Sequence, residues 1–434
     1  MSTTMDLRDR YAVIGAGPSG LAAARNLMAE GVACEVLEAH DGVGGIWDRA
    51  NPRSSVYANT HTITSKKVTE YPDLPLDADL PTYPRHDAIL DYLRAYAAHF
   101  DLTPHIRFGQ EVTAVTPDGE HWIVATADGT SRRYRGVVLA NGHNWKPRFP
   151  QYAGSFDGTT MHSRDYDTAA DFTGKRVLVV GAGNSGCDIA VEAAQTAESV
   201  AISMRRGYYF VPKYILGKPA DQVGDASQSL RLPIGLVRRM YKLVLRATVG
   251  RPQDYGLPVP DHKLLESPPI VNSLLPYYVG HGRVKVRPEI KELHGDKVEF
   301  TDGQVDAVDV IVYATGFQVH LPGLDPEHLS WRNGRPDLYL MAFSRRHDNL
   351  FVAGLTDGTG GHFPTVDLQT KVIAKFVAGR DRGGAAAADL ARRKANDHPD
   401  VSGGIKFIDS PRSLTQFELH TYLRQLRRHL DELS

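Results

Sequence analysis

Short apolar runs, each followed by a segment with helical spacing, organise much of this chain. A short apolar run that ends at a turn is typical of a strand buried on both faces of a sheet, and the amphipathic segment after it is typical of a helix packed on that sheet. Two runs form such a pair, Tyr11 to Ile14 and Val177 to Val180, and each pair is followed by a second apolar run, Val32 to Leu37 and Val200 to Met204 respectively. The pattern predicts two βαβ units and an α/β fold.

A glycine-rich turn follows the first strand of each unit. The two turns read Gly15-Ala16-Gly17-Pro18-Ser19-Gly20 and Gly181-Ala182-Gly183-Asn184-Ser185-Gly186. In a dinucleotide-binding turn, the first glycine permits the bend, the second lets a pyrophosphate approach the backbone, and the third lets helix and strand pack closely. The N-terminus of the helix then binds the phosphate charge. We therefore predict two Rossmann-like nucleotide sites.

The residue at the end of the second strand differs between the units. Glu38 follows the strand of the first unit, and a carboxylate there accepts hydrogen bonds from ribose hydroxyls and repels a 2′-phosphate. Arg205 and Arg206 follow the corresponding strand of the second unit, and guanidinium groups suit a phosphate. The sequence thus predicts FAD at the first turn and NADPH at the second.

Further elements follow from the same patterns. Gly44-Gly45-Ile46-Trp47 predicts close approach of the backbone to a cofactor, and the aperiodic stretch from Asn51 to Arg85 predicts a long ordered loop. The remaining predicted elements are a helix at Ala88 to Phe100, strands at Arg107 to Val115, Trp122 to Ala127, Val137 to Leu139, Val308 to Tyr313 and Asn349 to Ala353, and helices from Val366 onward.

An irregular insertion lies between Gly207 and Pro258 and is too long to be a structureless loop in a compact domain. Within it, Leu232 to Leu245 predicts a basic amphipathic helix. Such a helix packs on the protein core or on a second subunit, and the alternative is a membrane surface.

Composition narrows the function classes. The chain has 434 residues, of which 42% are apolar, so it is long enough for two or three domains with real cores. Lys and Arg number 50 against 51 Asp and Glu, and this balance argues against nucleic acid as a partner. No apolar stretch approaches the roughly 20 residues that span a bilayer, and Met1 to Arg10 has no signal-peptide core, so we expect a cytoplasmic protein.

The two cysteines, Cys34 and Cys187, form no Cys-x-x-Cys pair. A thiol-disulfide reductase with two dinucleotide sites needs a dithiol that receives electrons from the flavin, so that class is disfavoured. No cluster of His, Cys and carboxylate residues with metal-ligand spacing is visible either, and no metal is expected.

The segment between the two units carries a more specific signal. Phe156-Asp157-Gly158-Thr159-Thr160-Met161-His162-Ser163-Arg164-Asp165-Tyr166 resembles the FxGxxxHxxx(Y/F) fingerprint of the flavin-containing monooxygenases, class B flavoprotein enzymes related to the Baeyer-Villiger monooxygenases. The resemblance extends over nearly the whole chain. Both glycine turns, the Gly44 to Trp47 motif, Pro72 to Pro75, Ala314 to Phe317 and Asn349 to Gly354 appear in family order.

The resemblance implies two Rossmann-like domains, with a discontinuous FAD domain and an NADPH domain inserted in it. We expect FAD-domain segments at 1–170 and 313–434, and an NADPH domain at 171–312 with a helical insertion around 208–258. Beyond the first turn and Glu38, the expected FAD-binding residues are Gly45, Ile46, Trp47, Thr64, Val112, Gly142 and Gln369. The expected NADPH-binding residues are Gly181, Gly183, Asn184, Ser185, Gly186, Arg205 and Arg206.

One position departs from the family pattern. Alignment of Ser55 to Tyr57 and of Ser65 and Lys66 with the family's stretch puts Ile63 where many members carry an asparagine that touches both flavin and nicotinamide. That amide helps to hold the oxygenated flavin, so its loss predicts a shorter-lived intermediate. If the loop is threaded differently, Thr62, Thr64 or Asn59 takes that place.

The resemblance implies that NADPH reduces FAD, that the reduced flavin captures O2 as a C4a-hydroperoxide, and that one oxygen atom passes to a soft nucleophilic nitrogen or sulfur of a small molecule. The fingerprint ends in Tyr166-Asp167 and does not separate this activity from Baeyer-Villiger oxidation of a ketone. Ser65-Lys66-Lys67 with Pro72 to Pro75, and the lack of a Phe-Pro-Gly stretch after Trp47, favour heteroatom oxygenation.

Other hypotheses stay open on the sequence. An NADPH oxidase or reductase that releases H2O2 is the second enzyme class. A flavin-binding regulatory protein is a third hypothesis, in which the second nucleotide site would have no role.

We expect His162 to have a structural role rather than an acid-base one, because histidines between packed segments usually satisfy hydrogen bonds. A homodimer is also possible on the sequence.

Overall fold

The computed structural model describes residues 4–223, 234–332, 334–358, 360–410, 413 and 415–434. The chain divides into two compact units. The first unit comprises Met1–Ser54, Thr64–Trp145 and Val319–Ser434, and the second comprises Ser55–Ile63 and Lys146–Gln318.

The first unit is built around a nine-stranded sheet, counted over the described residues. Met5–Ile14 lies between Cys34–Leu37 and Ser131–Leu139 and pairs in parallel with both. Leu350–Val352 continues the parallel order beyond Ser131–Leu139. The other strands are Ile106–Arg107, Val112–Asp118, His121–Thr126, Leu338–Tyr339 and Phe343–Ser344, and a separate hairpin pairs Trp331–Arg332 with Arg335–Pro336. Val13, Val36 and Val138 are fully buried, as expected of strands covered on both faces.

Helices cover this sheet and complete its core. The helix Pro18–Ala29 begins with proline in its first turn, where no backbone N–H is needed. It packs on His362–Asp381, and the Asn26 Nδ2 donates to Asp367 Oδ1 at 3.1 Å between them. The other α-helices of the unit are Lys66–Thr69, His86–His99, Ala385–Asn396 and Leu419–Leu433.

The second unit contains a five-stranded parallel sheet within its described part. Its order is Val284–Arg287, Ser199–Ser203, Arg176–Val180, Val310–Tyr313, Thr159–His162. A smaller sheet joins Val305–Ala307, Lys297–Phe300, Ile290–Gly295 and Ala153–Phe156. Two short pairs join Phe210–Val211 with Ile270–Val271 and Tyr214–Ile215 with Lys218–Pro219. The helices are Asn184–Thr196, Ile234–Thr248 and Leu274–Gly280.

The structure confirms the α/β class and has a glycine turn after a parallel strand in each unit, and its first unit is formed by three separate segments of the chain. The predicted helix of the insertion is present from Ile234, while the start of that prediction, Leu232 and Pro233, lies outside the described residues. The long segment of the second unit begins at Lys146, whereas the sequence predicts a boundary near 171, because Ala153–Phe156 and Thr159–His162 pair with strands of this unit. Among the helices that are described, none has both the length and the apolar content to cross a membrane.

Candidate nucleotide-binding sites

The first glycine turn has a backbone that only glycine fits at two positions. Gly15 has a φ of 106°, and a Cβ on it would lie 2.8 Å from the Ala140 carbonyl oxygen. A Cβ on Gly20 would lie 1.8 Å from the Gly15 carbonyl oxygen, which is inside van der Waals contact. The helix Pro18–Ala29 therefore starts directly against the sheet, with its free N–H groups at the turn.

A second glycine pair lies against this turn. The Gly44 N–H donates to the Ala16 carbonyl oxygen at 3.0 Å. A Cβ on Gly45 would come within 3.0 Å of the Gly17 Cα, so the two backbones approach closely. Trp47 ends the one-turn helix Gly45–Trp47, and its ring meets Phe363 edge-on at 6.5 Å between centroids. The Gly44 to Trp47 motif thus closes one side of the first turn.

Glu38 is held beside the same turn. Its carboxylate is buried and accepts hydrogen bonds from the N–H groups of Ala16 at 2.6 Å and His40 at 2.8 Å. A carboxylate has about four acceptor positions, so two remain for ribose hydroxyls. The side chain is thereby oriented before any nucleotide binds.

The remaining predicted FAD residues are spread over the first unit. Gln369 is fully buried, and its Oε1 accepts from the Gly354 N–H at 2.9 Å while its Nε2 donates to the Tyr422 hydroxyl oxygen at 2.7 Å. It therefore fixes the Gly354 loop, where a Cβ on Gly354 would lie 2.0 Å from Ser19 Oγ.

The other predicted FAD residues have these surroundings. Thr64 Oγ1 bonds Thr69 Oγ1 at 2.9 Å, Val112 is buried at the start of a strand, and Gly142 bends with a φ of 69°. Ile46 accepts a hydrogen bond on its carbonyl oxygen from Ser54 Oγ, and Pro18 accepts one from the Tyr71 hydroxyl.

Two histidines near the first turn were missed by the sequence reasoning. His362 Nε2 lies 3.4 Å from Ser19 Oγ, and burial lowers the pKa of His362 to about 4, helped by the neighbouring His143. Burial also lowers the pKa of His143, against the opposing charge of Asp357. Gly142 is an expected FAD-binding residue, but the neighbouring His143 is not, and neither Gly361 nor His362 is singled out by the sequence patterns.

The second glycine turn repeats the first in its backbone. Gly181 has a φ of 104°, and a Cβ on it would lie 2.5 Å from the Ala314 carbonyl oxygen. A Cβ on Gly186 would lie 2.0 Å from the Gly181 carbonyl oxygen. At Gly183, in contrast, an added Cβ would meet no described atom within 4 Å. The middle of this turn is open.

The two arginines predicted to bind NADPH at the second turn are at least partly exposed and have only distant carboxylate partners. Arg205 has 73% of its side chain exposed, and its nearest carboxylate is Glu289 at 3.9 Å. Arg206 is 31% exposed and lies 3.8 Å from Asp261. Ion pairs this long leave the N–H groups of both arginines available to a phosphate. Ser185 is exposed, whereas Asn184 Oδ1 accepts from the Val271 N–H at 2.9 Å.

His162 of the fingerprint is completely buried at the end of an edge strand. Its Nδ1 accepts from the Arg164 N–H at 3.1 Å, so its Nε2 carries the proton and donates to the Gly316 carbonyl oxygen at 3.1 Å. Burial lowers the pKa of His162, which agrees with this neutral ring. A side chain with both nitrogens bonded to backbone positions the turn after Val310–Tyr313 and has no free position for acid-base work.

Tyr166 and Gly158 of the fingerprint also have packing roles. The Tyr166 hydroxyl donates to Glu192 Oε2 at 2.5 Å, and a Cβ on Gly158 would lie 2.5 Å from the Asp309 carbonyl oxygen. Phe156 is the last residue of the strand Ala153–Phe156.

The segment Ser55–Ile63, predicted as part of a surface loop, is bound to the helix Asn184–Thr196. The Tyr57 hydroxyl donates to Asp188 Oδ2 at 2.9 Å, and Lys213 Nζ donates to the Thr62 carbonyl oxygen at 3.3 Å. Thr62 is buried, while 47% of Ile63 is exposed. Asn59 hydrogen-bonds Glu192. Thr62 and Ile63 thus belong to the second unit and Thr64 to the first.

The structure also limits which reactions the cysteines can support and which residues can bind a metal ion. Cys34 and Cys187 form no disulfide and are both buried, and burial raises the pKa of Cys34 to about 12. The sequence showed no metal-ligand cluster, but the fold brings Glu292, His294 and Glu299 together, with ligand atoms within 4.8 Å of one another. Lys291 Nζ contacts Glu299 Oε1 at 2.7 Å there, so an ammonium group already neutralises one of the carboxylates.

Comparison with known proteins agrees with this geometry. The family model described as flavin-binding monooxygenase-like matches residues 8–423. Dimethylaniline monooxygenase [N-oxide-forming] 2 of Rattus norvegicus is 33% identical over 393 residues, which are 85% of this chain and 73% of the relative.

Two solved structures show the same fold. The S-allyl-L-cysteine S-oxygenase of Allium sativum matches with a TM-score of 0.67 and 23% identity over 99% of this chain and 89% of its own. Cyclohexanone monooxygenase matches with a TM-score of 0.70 and 20% identity over 98% of each chain. Because the family model and the 33% identical relative both extend over most of the sequence, this chain belongs to the flavin-binding monooxygenase-like family and is a flavin-dependent monooxygenase that uses FAD and NADPH.

Proposed function

We propose that this monooxygenase binds FAD at its first glycine turn and NADPH at its second, and transfers one oxygen atom to a soft nucleophilic nitrogen or sulfur of a small molecule. The two placements rest on one observation, which is the difference between the side chains that follow the second strand of each βαβ unit. The carboxylate of Glu38 is buried and pre-oriented at the first turn, whereas the exposed Arg205 and the partly buried Arg206 are only weakly paired at the second. Ribose hydroxyls suit the former and a 2′-phosphate suits the latter.

The residues of both turns fit these cofactors. Gly17 and Gly183 carry no side chain at the point where a pyrophosphate approaches, and each turn opens a helix whose N–H groups favour an anion. When bound, NADPH supplies a hydride and FAD supplies the chemistry that activates O2. The protein binds and orients these groups and excludes water from them.

The preference for nitrogen or sulfur has separate support. The relative that is 33% identical over most of this chain is named for N-oxide formation. Ser65-Lys66-Lys67 and Pro72 to Pro75 match the same branch. The fold does not decide between the branches, because cyclohexanone monooxygenase has it as well. Ketone oxidation is therefore the alternative to be tested with the same enzyme preparation.

An NADPH oxidase is the second candidate, and Ile63 favours it. An exposed isoleucine offers no hydrogen bond where many members of the resembled family have an amide. The amide of Asn59, the nearest asparagine before it in the chain, is already bonded to Glu192. With an aliphatic group in place of this hydrogen bond, a larger share of the NADPH consumed would end in released H2O2.

Rapid mixing separates these functions. Protein reduced anaerobically with NADPH is mixed with oxygenated buffer while absorbance is followed, and H2O2 is measured at the end. A transient spectrum that decays faster with a tertiary amine or a sulfide than with a ketone supports the proposal. Faster decay with a ketone alone identifies ketone oxidation, and direct return to oxidised flavin with stoichiometric H2O2 identifies an oxidase.

The Ile63→Asn variant tests the cause of any H2O2 release, with Ile63→Val as the matched control. If the missing amide limits coupling, Ile63→Asn lowers the H2O2 formed per NADPH consumed, and Ile63→Val leaves this ratio unchanged. Equal ratios in both variants and in the wild type would show that position 63 does not control coupling.

A further inference from the structure

Arg148 is fixed against the turn at 314–317 of the second unit by three contacts. Its N–H donates to the Gly316 carbonyl oxygen at 3.0 Å, and its Nη2 donates to the Phe317 carbonyl oxygen at 2.9 Å. Its own carbonyl oxygen accepts from Thr315 Oγ1 at 2.5 Å. The position of the guanidinium group is therefore set by backbone groups and not by a carboxylate.

The charge of Arg148 is not balanced by the protein. Among the described residues, no carboxylate lies within ion-pair distance of Arg148, and its Nε is buried without a hydrogen-bond partner. Burial lowers the pKa of Arg148, and the positive charge of Arg205 lowers it further. A half-buried guanidinium with an unsatisfied N–H, exposed to the field of a second positive charge, costs free energy unless an anion binds beside it.

This pair lies where a parallel sheet binds ligands. The strand Arg176–Val180 leads into Gly181, and its parallel neighbour Val310–Tyr313 leads into the turn that holds Arg148. The chain continues from Arg176–Val180 to Ser199–Ser203 on the other side, so the strand order reverses at this point. Ligands of open α/β sheets bind at such a reversal, beyond the carboxyl ends of the strands.

We propose that Arg148 binds the 2′-phosphate of NADPH together with Arg205. Arg205 follows the second strand, where the adenosine ribose is expected, and the turn that holds Arg148 follows another strand at the same edge of this sheet, where the positive charge of Arg205 acts on Arg148. A phosphate dianion matches two guanidinium groups in charge and in hydrogen-bond geometry. This inference rests on the proposed placement of NADPH at the second turn and adds a residue from a distant part of the sequence.

Calorimetric binding of NADP+ and NAD+ to the oxidised FAD-containing protein tests it. Arg148→Gln is expected to weaken NADP+ binding by roughly tenfold to a hundredfold, the range for a lost charged hydrogen bond, and to change NAD+ binding little. Arg148→Lys keeps the charge and should lose less. Arg176→Gln is the matched control, because Arg176 begins the strand Arg176–Val180, at the edge of the sheet away from Gly181, and pairs with Asp309. This control should keep the NADP+ preference.

The outcomes separate the inference from the proposed function. Unchanged NADP+ binding in Arg148→Gln, or equal losses for NADP+ and NAD+, would overturn the role at the 2′-phosphate. The equal losses would assign Arg148 to the pyrophosphate or to the turn. A wild-type protein without preference for NADP+ over NAD+ would instead contradict the placement of the 2′-phosphate beside Arg205. If Arg148→Gln does not fold, the same comparison of the two nucleotides with Arg148→Lys decides.

Discussion

The two glycine turns have nearly the same backbone and different surroundings. In both, the first glycine has a φ near 105° and faces an alanine carbonyl oxygen, and the third packs on the first. At the first turn, Gly17 lies against Gly45 and the carboxylate of Glu38 is buried. At the second turn, Gly183 has open space and Arg205 is mostly exposed.

On the proposed placements, the difference explains how one turn motif can serve two kinds of cofactor. A turn covered by a second glycine motif and a pre-oriented carboxylate suits a cofactor that remains bound, because little has to be ordered on binding. An open turn with exposed arginines suits a cofactor that enters and leaves in each catalytic cycle. The following predictions test this contrast, from the largest expected effect to the smallest.

Substitution of the third glycine should damage both turns alike. In Gly20→Ala and Gly186→Ala, the new methyl group would overlap a carbonyl oxygen at 1.8 Å and 2.0 Å respectively. We expect at least the roughly 1 to 3 kcal/mol loss of unfolding free energy that is typical of overpacked cores. Thermal unfolding measures it, and Gly20→Ala should also be purified with less FAD. Gly235→Ala, in an open position of a helix, is the control and should cost nothing.

Substitution of the middle glycine should separate folding from binding. Gly183→Ala adds a methyl group in open space, so the melting temperature without nucleotide should stay unchanged. The same methyl group would lie where the pyrophosphate approaches, and we expect NADP+ to bind roughly tenfold more weakly. Calorimetry with NADP+ checks this. A lower melting temperature with unchanged NADP+ affinity would contradict the assignment of the open turn.

Removal of the arginines should affect NADPH more than NADH. Each of Arg205→Ala and Arg206→Ala removes charged hydrogen bonds worth about 1.5 to 3 kcal/mol to a phosphate, with Arg205 at the lower end because it is exposed. The concentration of NADPH that half-saturates flavin reduction should therefore rise by about tenfold or more, with little change for NADH. Equal losses with both nucleotides would refute the phosphate assignment.

A fall in pH should lower the free energy of unfolding of the first unit, because His362 is buried there in its neutral form. Because burial holds the pKa of His362 at about 4 in the folded state, against about 6.5 in the unfolded chain, the unfolded state binds more protons between these values. Stability should therefore fall as the pH drops from about 6.5 towards 4. Thermal unfolding across this range should show a weaker pH dependence for His362→Gln than for the wild type. His99→Gln, at an exposed helix end, should behave like the wild type.

Local sequence patterns predicted the glycine turns and the strands that lead into them. The glycine turns, their strands and Glu38 are recognisable because burial on both faces gives continuous apolar runs and because the bends need glycine. The strand Ala153–Phe156 was not predicted, because it is short and mostly exposed and has no apolar alternation.

Contacts between distant residues could not be predicted in the same way. The attachment of Ser55–Ile63 to the second unit depends on pairs such as Tyr57 with Asp188, which are 131 positions apart. The position of the Arg148 guanidinium depends on a hydrogen bond to Phe317, which lies 169 positions later in the chain. The periodicity of the sequence gives no information about contacts between such distant residues. These parts of the candidate site could therefore be identified only from the three-dimensional structure.

The most direct measurement is the nucleotide content of the purified protein after loading with FAD and NADP+ and prolonged dialysis. Denaturation followed by chromatography would quantify both nucleotides in one sample. A closed first turn and an open second turn predict stoichiometric FAD and almost no NADP+. Loss of FAD with retention of NADP+, or equal loss of the two, would contradict the contrast between the turns.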